Sequence, residues 1–266
     1  MRIALTGKGG SGKTTVAATL ARTFARRGYR VNALDGDPNP NLATAIGITE
    51  DDIARLRRVP REAILNDHHD ADGSTTAHLS RPFEEVLAEY GVTGPDAIGV
   101  LTMTGLLGAG KGCICGQHSA VRDVMEQLAS SEPRDVTILD TEASIEHLSR
   151  GTVRNVDALL VVTEPYYRSL ETAGRIVPLA RDLGLPEVWV VANKVRDARD
   201  REAILQYGAG HGFEIVAAIP FDPLVGEADQ LGRAVIDHAP EAAAVAAIGA
   251  LADVLVERLS ATVAAT

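Results

Sequence analysis

Along this chain, short apolar runs alternate with longer stretches of helical period from one end to the other. The runs at residues 2–6, 31–35, 97–103, 135–140, 157–163, 188–192 and 213–219 have strand length. They read as nearly continuous apolar segments, the pattern of strands covered on both faces of a sheet. Helical patterns fill the spaces between, at 14–27, 118–129, after residue 169 as far as 183 and, at the C-terminal end, about 241–261. No Pro/Gly-rich linker divides the series into two cores. The alternation therefore predicts one domain over residues 1–266: an α/β fold with a doubly wound, mostly parallel sheet flanked by helices. Only the stretch at about 50–95 departs from the rhythm. It is expected to be a variable insertion of helix and loop, with helices at 51–58 and 81–90.

The first strand runs directly into Gly7-Lys8-Gly9-Gly10-Ser11-Gly12-Lys13-Thr14-Thr15, which satisfies G-x-x-x-x-G-K-[ST] in the context the pattern requires, between a strand and a helix. Each residue type has a physical task. Glycines let backbone N–H groups turn inward around phosphate oxygens with no Cβ in the way. Lys13 is placed to reach the β/γ-phosphates, and the Thr14 hydroxyl to ligate Mg²⁺. The helix beginning at Thr14 aims its positive end at the same anion. Residues 9–15 are therefore read as a nucleotide-binding loop. Lys8 is not required by the general pattern. The string K-G-G-x-G-K-T-T resembles the deviant phosphate loop (deviant Walker A) of the MinD/ParA/nitrogenase iron protein class of ATPases. That resemblance implies ATP as the nucleotide, and a Lys8 that crosses a homodimer interface to the partner's nucleotide.

Composition narrows the function classes. A net charge of −10 speaks against a general affinity for nucleic acid, which Lys and Arg would have to lead. The first strand begins without a charged n-region or cleavage site, and no apolar stretch approaches membrane-spanning length, so a cytoplasmic location is expected. The C-terminal helix is rich in Ala, Val and Leu but lacks the basic face and aromatics of a membrane-surface helix; it is expected to pack on the sheet. Aromatic residues make up only 4% of the chain, so aliphatic side chains must build the core.

The two cysteines, Cys113 and Cys115, lie one residue apart in a Gly-rich approach to a predicted helix N-terminus. That setting lowers thiol pKa and favours the thiolate, the metal-binding form. One C-x-C pair offers two soft ligands, too few for a closed four-coordinate site. Two pairs meeting on a two-fold axis would supply four. Four thiolates suit tetrahedral zinc, planar nickel or a 4Fe–4S cluster, and the residues alone do not rank them. The alternative is a pair of small apolar core residues; the flanking glycines and the lack of any other cysteine argue against it. The His/Asp-rich segment 67–72 has no defined ligand spacing and is better read as a solvated, mobile loop than as a metal site.

Two further acids end apolar strands or begin loops. Asp140 closes the run 135–140 as in a Walker B strand, where it would hold Mg²⁺ through water; a simple capping acid is the alternative. Asp37 opens Asp37-Pro38-Asn39-Pro40, at the carboxyl end of the second strand, where open α/β sheets bind ligands. In the ATPase class named above this loop is the first switch, which implies that Asp37 stands near the metal and the attacking water; an Asx/Pro turn without chemistry is the alternative.

Thr141-Glu142-Ala143-Ser144 occupies the place of a second switch. With the upstream G-C-x-C-G, the stretch D-x-E-A-x-I-E-H-L-x-R-G-T resembles the CooC family, nickel-associated maturation ATPases of carbon monoxide dehydrogenase. The resemblance covers most of the chain outside about 50–95. It implies an ATP-gated homodimer that holds a metal, nickel or zinc, between the Cys113/Cys115 pairs of two subunits and serves a client metalloenzyme. It also implies that Glu142 and His147 are switch residues, although a helix-surface or capping role for His147 is equally open. Asn193 and Lys194 are implied as adenine-side residues, with Pro220, Phe221 and Asp222 lining the base from the other side. One position departs from the family pattern: Ser144 stands where a glycine is expected, restricting a backbone N–H that would turn to the γ-phosphate. Two rival readings remain. One is a partitioning or positioning ATPase of the ParA/MinD kind, which the acidic balance opposes. The other is an iron–sulfur reductase like the nitrogenase iron protein, which spaces its ligand cysteines far apart on two loops.

Overall fold

The computed structural model describes residues 1–57, 59–60, 65–69, 75–103, 134–141 and 155–264, with isolated positions between 121 and 153. Cys113, Cys115, Glu142, Ser144 and His147 lie outside the described residues, as do segment 70–74 and most of the predicted helix at 118–129.

The described strands build the expected sheet. Its eight strands run in the order β10-β9-β8-β1-β7-β2-β6-β5. These are β1 (Arg2–Thr6), β2 (Arg30–Asp35), β5 (Val92–Thr93), β6 (Gly99–Thr102), β7 (Asp135–Asp140), β8 (Ala158–Thr163), β9 (Val188–Val195) and β10 (Ile215–Pro220). All pairings are parallel except that of the short edge strand β5 with β6. Strand β1 lies between β7 and β8, so the loop that follows it opens at the middle of the carboxyl edge.

Period-two alternation divides the strand residues between two apolar layers. Ile3, Leu5, Ile138 and Leu160 face one layer, while Ala4, Leu139, Leu159 and Val161 face the other. The first layer is closed by α1 (Lys13–Arg26), through Val16, Leu20 and Phe24, and by the C-terminal helix α9 (Ala243–Ala264), through Ile248, Leu251 and Leu255. The spacing of these α9 residues, three or four apart, makes one apolar stripe, so this helix packs on the sheet as its sequence predicts. The second layer is closed by α4 (Phe83–Tyr90) and α5 (Tyr167–Asp182). Among the described residues, no helix is long and apolar enough to cross a membrane.

Among the described residues, the remaining α-helices are short or peripheral: α2 (Leu42–Ile46), α3 (Glu50–Ile53), α6 (Ala198–His211), α7 (Pro223–Gln230) and α8 (Val235–His238). Helix α1 is locked in place by Arg22, whose guanidinium is buried among Ile46 O, both carboxylate oxygens of Asp237 and Asp96. Asp96, itself exposed, reaches it from a left-handed backbone (φ 56°), a conformation that Asp adopts more readily than most residues.

The insertion differs from expectation in two places. Helix is predicted at 51–58, but α3 stops at Ile53. Beyond it, the amides of Arg57 and Val59 donate to the carbonyls of Tyr90 and Thr102, which draws the backbone out of helix. The expected His/Asp-rich loop begins instead as an antiparallel hairpin, β3 (Leu65–His69) with β4 (Thr75–Leu79). Its sequence lacks the apolar alternation that marks a half-buried strand, so the pattern concealed it.

Candidate functional site

The loop after β1 has the backbone its glycines allow. Gly7, Gly10 and Gly12 have φ of 137°, 81° and 91°. A Cβ at Gly7 would strike the carbonyl oxygen of Val162, and one at Gly12 would strike Nδ2 of Asn193, so glycine is obligatory at both places. Gly12 caps α1 without a side chain, and no acid occupies the helix's first turn. The first-turn amides and the helix dipole therefore face the loop's concavity, a ready anion cradle. Lys13 is only 7% exposed, and its Nζ lies 3.5 Å from the carbonyl oxygen of Lys8. Ser11 is buried in the same loop.

Beside this cradle, register brings two acids together. Strand β2 pairs with β7 so that Asp35 stands opposite Asp140. Each is only 1% exposed. Thr14 donates its hydroxyl to Asp140 Oδ2 at 2.6 Å, while Asp140 Oδ1 is buried with no hydrogen-bond partner among the described residues. Thr14 and an under-satisfied carboxylate form a hard-oxygen pair of the kind Mg²⁺ prefers. Thr141 starts the next segment with its amide and hydroxyl both on Leu5 O. Asp37 leaves the end of β2 and accepts the amide of Asn39 at 2.8 Å.

Asp35 is the residue that sequence reading passed over. Its Oδ1 accepts the amide of Asp37 at 3.0 Å, and its Oδ2 that of Leu42 at 2.9 Å. The signal was present, since Asp35 is an acid ending an apolar strand, as Asp140 is.

Burial disfavours the charged form of both carboxyls. Desolvation, reinforced by the neighbouring Asp140, raises Asp35 to about 7 against the pull of its two amides. Desolvation raises Asp140 to about 6, opposed by the Thr14 hydroxyl and the Lys13 ammonium. Both groups bind their protons more tightly folded than unfolded. Their stabilising contribution is thus complete at acid pH and is lost as pH rises through about 6 to 7. Without Mg²⁺, the melting temperature is expected to gain from these groups as pH falls from about 8 to about 5. The Asp140→Asn variant should show a shallower dependence, and equal slopes in both proteins would refute the assignment.

The rim of the site is built from the far strands. Asn193 and Lys194 lie within β9, not after it as expected. The Asn193 amide donates to Ser11 O at 2.7 Å and accepts from the Lys194 amide at 2.9 Å. Lys194, at φ 58°, sends its ammonium to Gly10 O (2.6 Å) and Glu164 (2.9 Å). These two residues thus brace the phosphate loop from the side. A cavity of about 440 Å³ runs from Gly12, Lys13, Thr14 and Thr15 past Asn193 to Pro220, Phe221 and Ile248. Phe221 is 56% exposed at its mouth. Asp222 caps α7 through the Leu224 amide and reaches the Ala244 amide, tying α7 to the start of α9. The Lys8 ammonium is turned outward, donating to the Tyr166 hydroxyl at 3.1 Å and lying 5.3 Å from the centroid of its ring.

The structure therefore brings Gly9, Gly10, Ser11, Gly12, Lys13, Thr14, Thr15, Asp37 and Asp140 to one edge of the sheet, with Asn193, Lys194 and Pro220 to Asp222 beside them. An anion cradle, a hard-oxygen pair and an apolar-ended cavity beyond them define a phosphate-loop nucleotide-binding protein on a parallel sheet. The family model for the CobQ/CobB/MinD/ParA nucleotide-binding domain matches residues 3–235. The carbon monoxide dehydrogenase accessory protein CooC of Rhodospirillum rubrum is 36% identical over 242 residues, 90% of this chain and 91% of that protein. The chain belongs to this nucleotide-binding family, within its CooC branch, and is an ATPase that uses ATP and Mg²⁺. Solved structures share the fold. A ParA family ATPase from Chlorobium tepidum superposes with a TM-score of 0.72 at 21% identity, covering 94% of this chain and 96% of its own. The septum site-determining protein MinD of Pyrococcus horikoshii, complexed with Mg-ADP, gives 0.68 at 21% identity, covering 96% and 95%.

Proposed function

We propose that the protein is an ATP-dependent metal-handling maturation factor that closes as a homodimer on ATP. Its cargo is a metal ion, nickel or zinc, held by Cys113 and Cys115 of both subunits. It delivers that ion to a client metalloenzyme, with carbon monoxide dehydrogenase the first candidate. The observation that carries this reading is the likeness to a carbon monoxide dehydrogenase accessory protein along nine-tenths of the chain, joined to a lone C-x-C pair. Two thiolates per subunit become a closed four-sulfur site only when two copies meet, so dimer geometry would decide whether the ion is gripped or released.

Within one catalytic site the residues divide the work. The loop amides and Lys13 cradle the phosphates and spread the developing charge, and Thr14 and Asp140 hold Mg²⁺, which supplies further charge neutralisation when bound. Asp37 orients the attacking water. Glu142, outside the described residues, is assigned to the second switch, and Lys8 reaches across to the partner's nucleotide. Asn193, Lys194, Pro220, Phe221 and Asp222 frame the adenosine.

The test is metal analysis with mass determination, in ADP and then in a non-hydrolysable ATP analogue. The reading expects about one ion per dimer. That ion should be lost from the Cys113→Ser/Cys115→Ser protein, which should still bind ATP. Full metal occupancy in the double variant would sink the proposal, and a broad visible absorbance band after anaerobic purification would redirect it to an iron–sulfur cluster.

A further inference from the structure

Loop 36–41, between β2 and α2, is short of backbone donors because Pro38 and Pro40 have no N–H. It belongs to neither strand nor helix. Its amides instead hang from carbonyl and carboxylate oxygens: Gly36 on Asp140 O, Asp37 on Asp35, and Asn39 on Asp37. At the far end, the first amide of α2, that of Leu42, returns to Asp35. A single buried carboxylate thus takes one amide at each end of the loop, one per oxygen. Asn41, the residue that precedes α2, offers no side-chain cap, so Asp35 fills that role from the neighbouring strand. Asp35 does not line the cavity that runs from the cradle to Phe221.

We propose that Asp35 is a positioning residue for hydrolysis, whose two-ended grip on loop 36–41 sets where the Asp37 carboxylate stands. The inference rests on the role given to Asp37 above. A carboxylate that only supplied charge could be moved by a methylene without consequence. One that fixes two amides at 3.0 and 2.9 Å could not. Asparagine is wrong for the opposite reason: it keeps the shape, but its NH₂ confronts one of the two donors and leaves a buried N–H unmade.

The experiment compares Asp35→Asn, Asp35→Glu and Asp37→Asn in the full chain. It measures steady-state ATP hydrolysis, binding of a fluorescent ATP analogue, and hydrogen exchange resolved over residues 36–42. Both Asp35 variants are expected to lower kcat by about 10- to 100-fold, the scale of a small misplacement of a reacting group. Nucleotide affinity should stay within about twofold of the parent. Exchange should quicken at the Asp37 and Leu42 amides while the strands keep their protection. Parental kcat in both variants overturns the proposal, and so does parental kcat in Asp35→Glu alone, which would leave only a charge effect. Equal losses of kcat, affinity and strand protection would also overturn it, as a purely structural role. Undiminished hydrolysis in Asp37→Asn would instead remove the reading of Asp37, and the inference with it.

Discussion

Replacing Asp140 by Asn is expected to lower Mg²⁺-dependent ATP turnover by about 10³-fold. The size follows from what the carboxylate does and from where it sits. It is 1% exposed, it accepts the Thr14 hydroxyl on one oxygen, and its other oxygen has no partner among the described residues. An ion bound there would replace the missing partner, and metal stabilisation of transition-state charge is worth several kcal/mol. Asparagine removes the negative charge and turns an N–H toward either the threonine or the metal. The fold should survive, because a neutral group at this buried place no longer suffers the desolvation that drives the Asp140 carboxyl up to about 6. The outcome to measure is turnover against Mg²⁺ concentration, beside a melting curve in chelator. A variant that keeps turnover within a few-fold of the parent, with an unchanged Mg²⁺ requirement, would show that the metal is held elsewhere.

The second large effect concerns Lys8. Its alanine variant is expected to lose about 10³-fold in kcat, the usual worth of a cation supplied to a phosphoryl-transfer site from a partner. Affinity for ATP in the subunit's own cradle should change little, since the Lys8 ammonium is turned away to Tyr166 while Lys13 stays buried in the cradle. Mixing tests whether the lysine acts across an interface. A dimer of one Lys8→Ala subunit with one Asp140→Asn subunit has one intact site only if Lys8 serves its neighbour. Equal mixtures of the two inactive variants should then recover about a quarter of parental activity, because half the dimers are mixed and each carries one working site. If Lys8 served its own nucleotide, both sites of the mixed dimer would be broken. Mixtures that stay inactive, with dimers demonstrably exchanged, would reject action in trans.

The phosphate loop was legible because its chemistry is local. Gly7 to Thr15 must turn, expose amides and begin a helix within nine consecutive residues, and only a narrow set of residue types permits that. The alternation of strand and helix was legible for a similar reason, since burial on both faces leaves continuous apolar runs. Residues 54–57 were misread because propensity favours helix there, while the amides of Arg57 and Val59, committed to Tyr90 and Thr102, draw the backbone away from it. The antiparallel strands 65–69 and 75–79 carry no apolar alternation in their sequence to read. Asn193 and Lys194 were assigned to the adenine edge by analogy, yet their side chains are also engaged with the phosphate-loop carbonyls of Ser11 and Gly10. That engagement depends on β9 running beside β8 and on a left-handed turn at Lys194.

By itself, then, the sequence determined the fold class, the nucleotide loop and its helix, and the presence of acids at the ends of two apolar strands. These follow from periodicity and from the conformational freedom of glycine, both of which act over a few residues. Only the tertiary structure decided that Asp35 and Asp140 face each other, that Asp35 holds both ends of the loop carrying Asp37, and that β9 braces the cradle. The first and last of these are set by pairing between strands far apart in the chain, and the grip of Asp35 by where the end of β2 leaves its carboxylate relative to the Asp37 and Leu42 amides, two and seven residues further on.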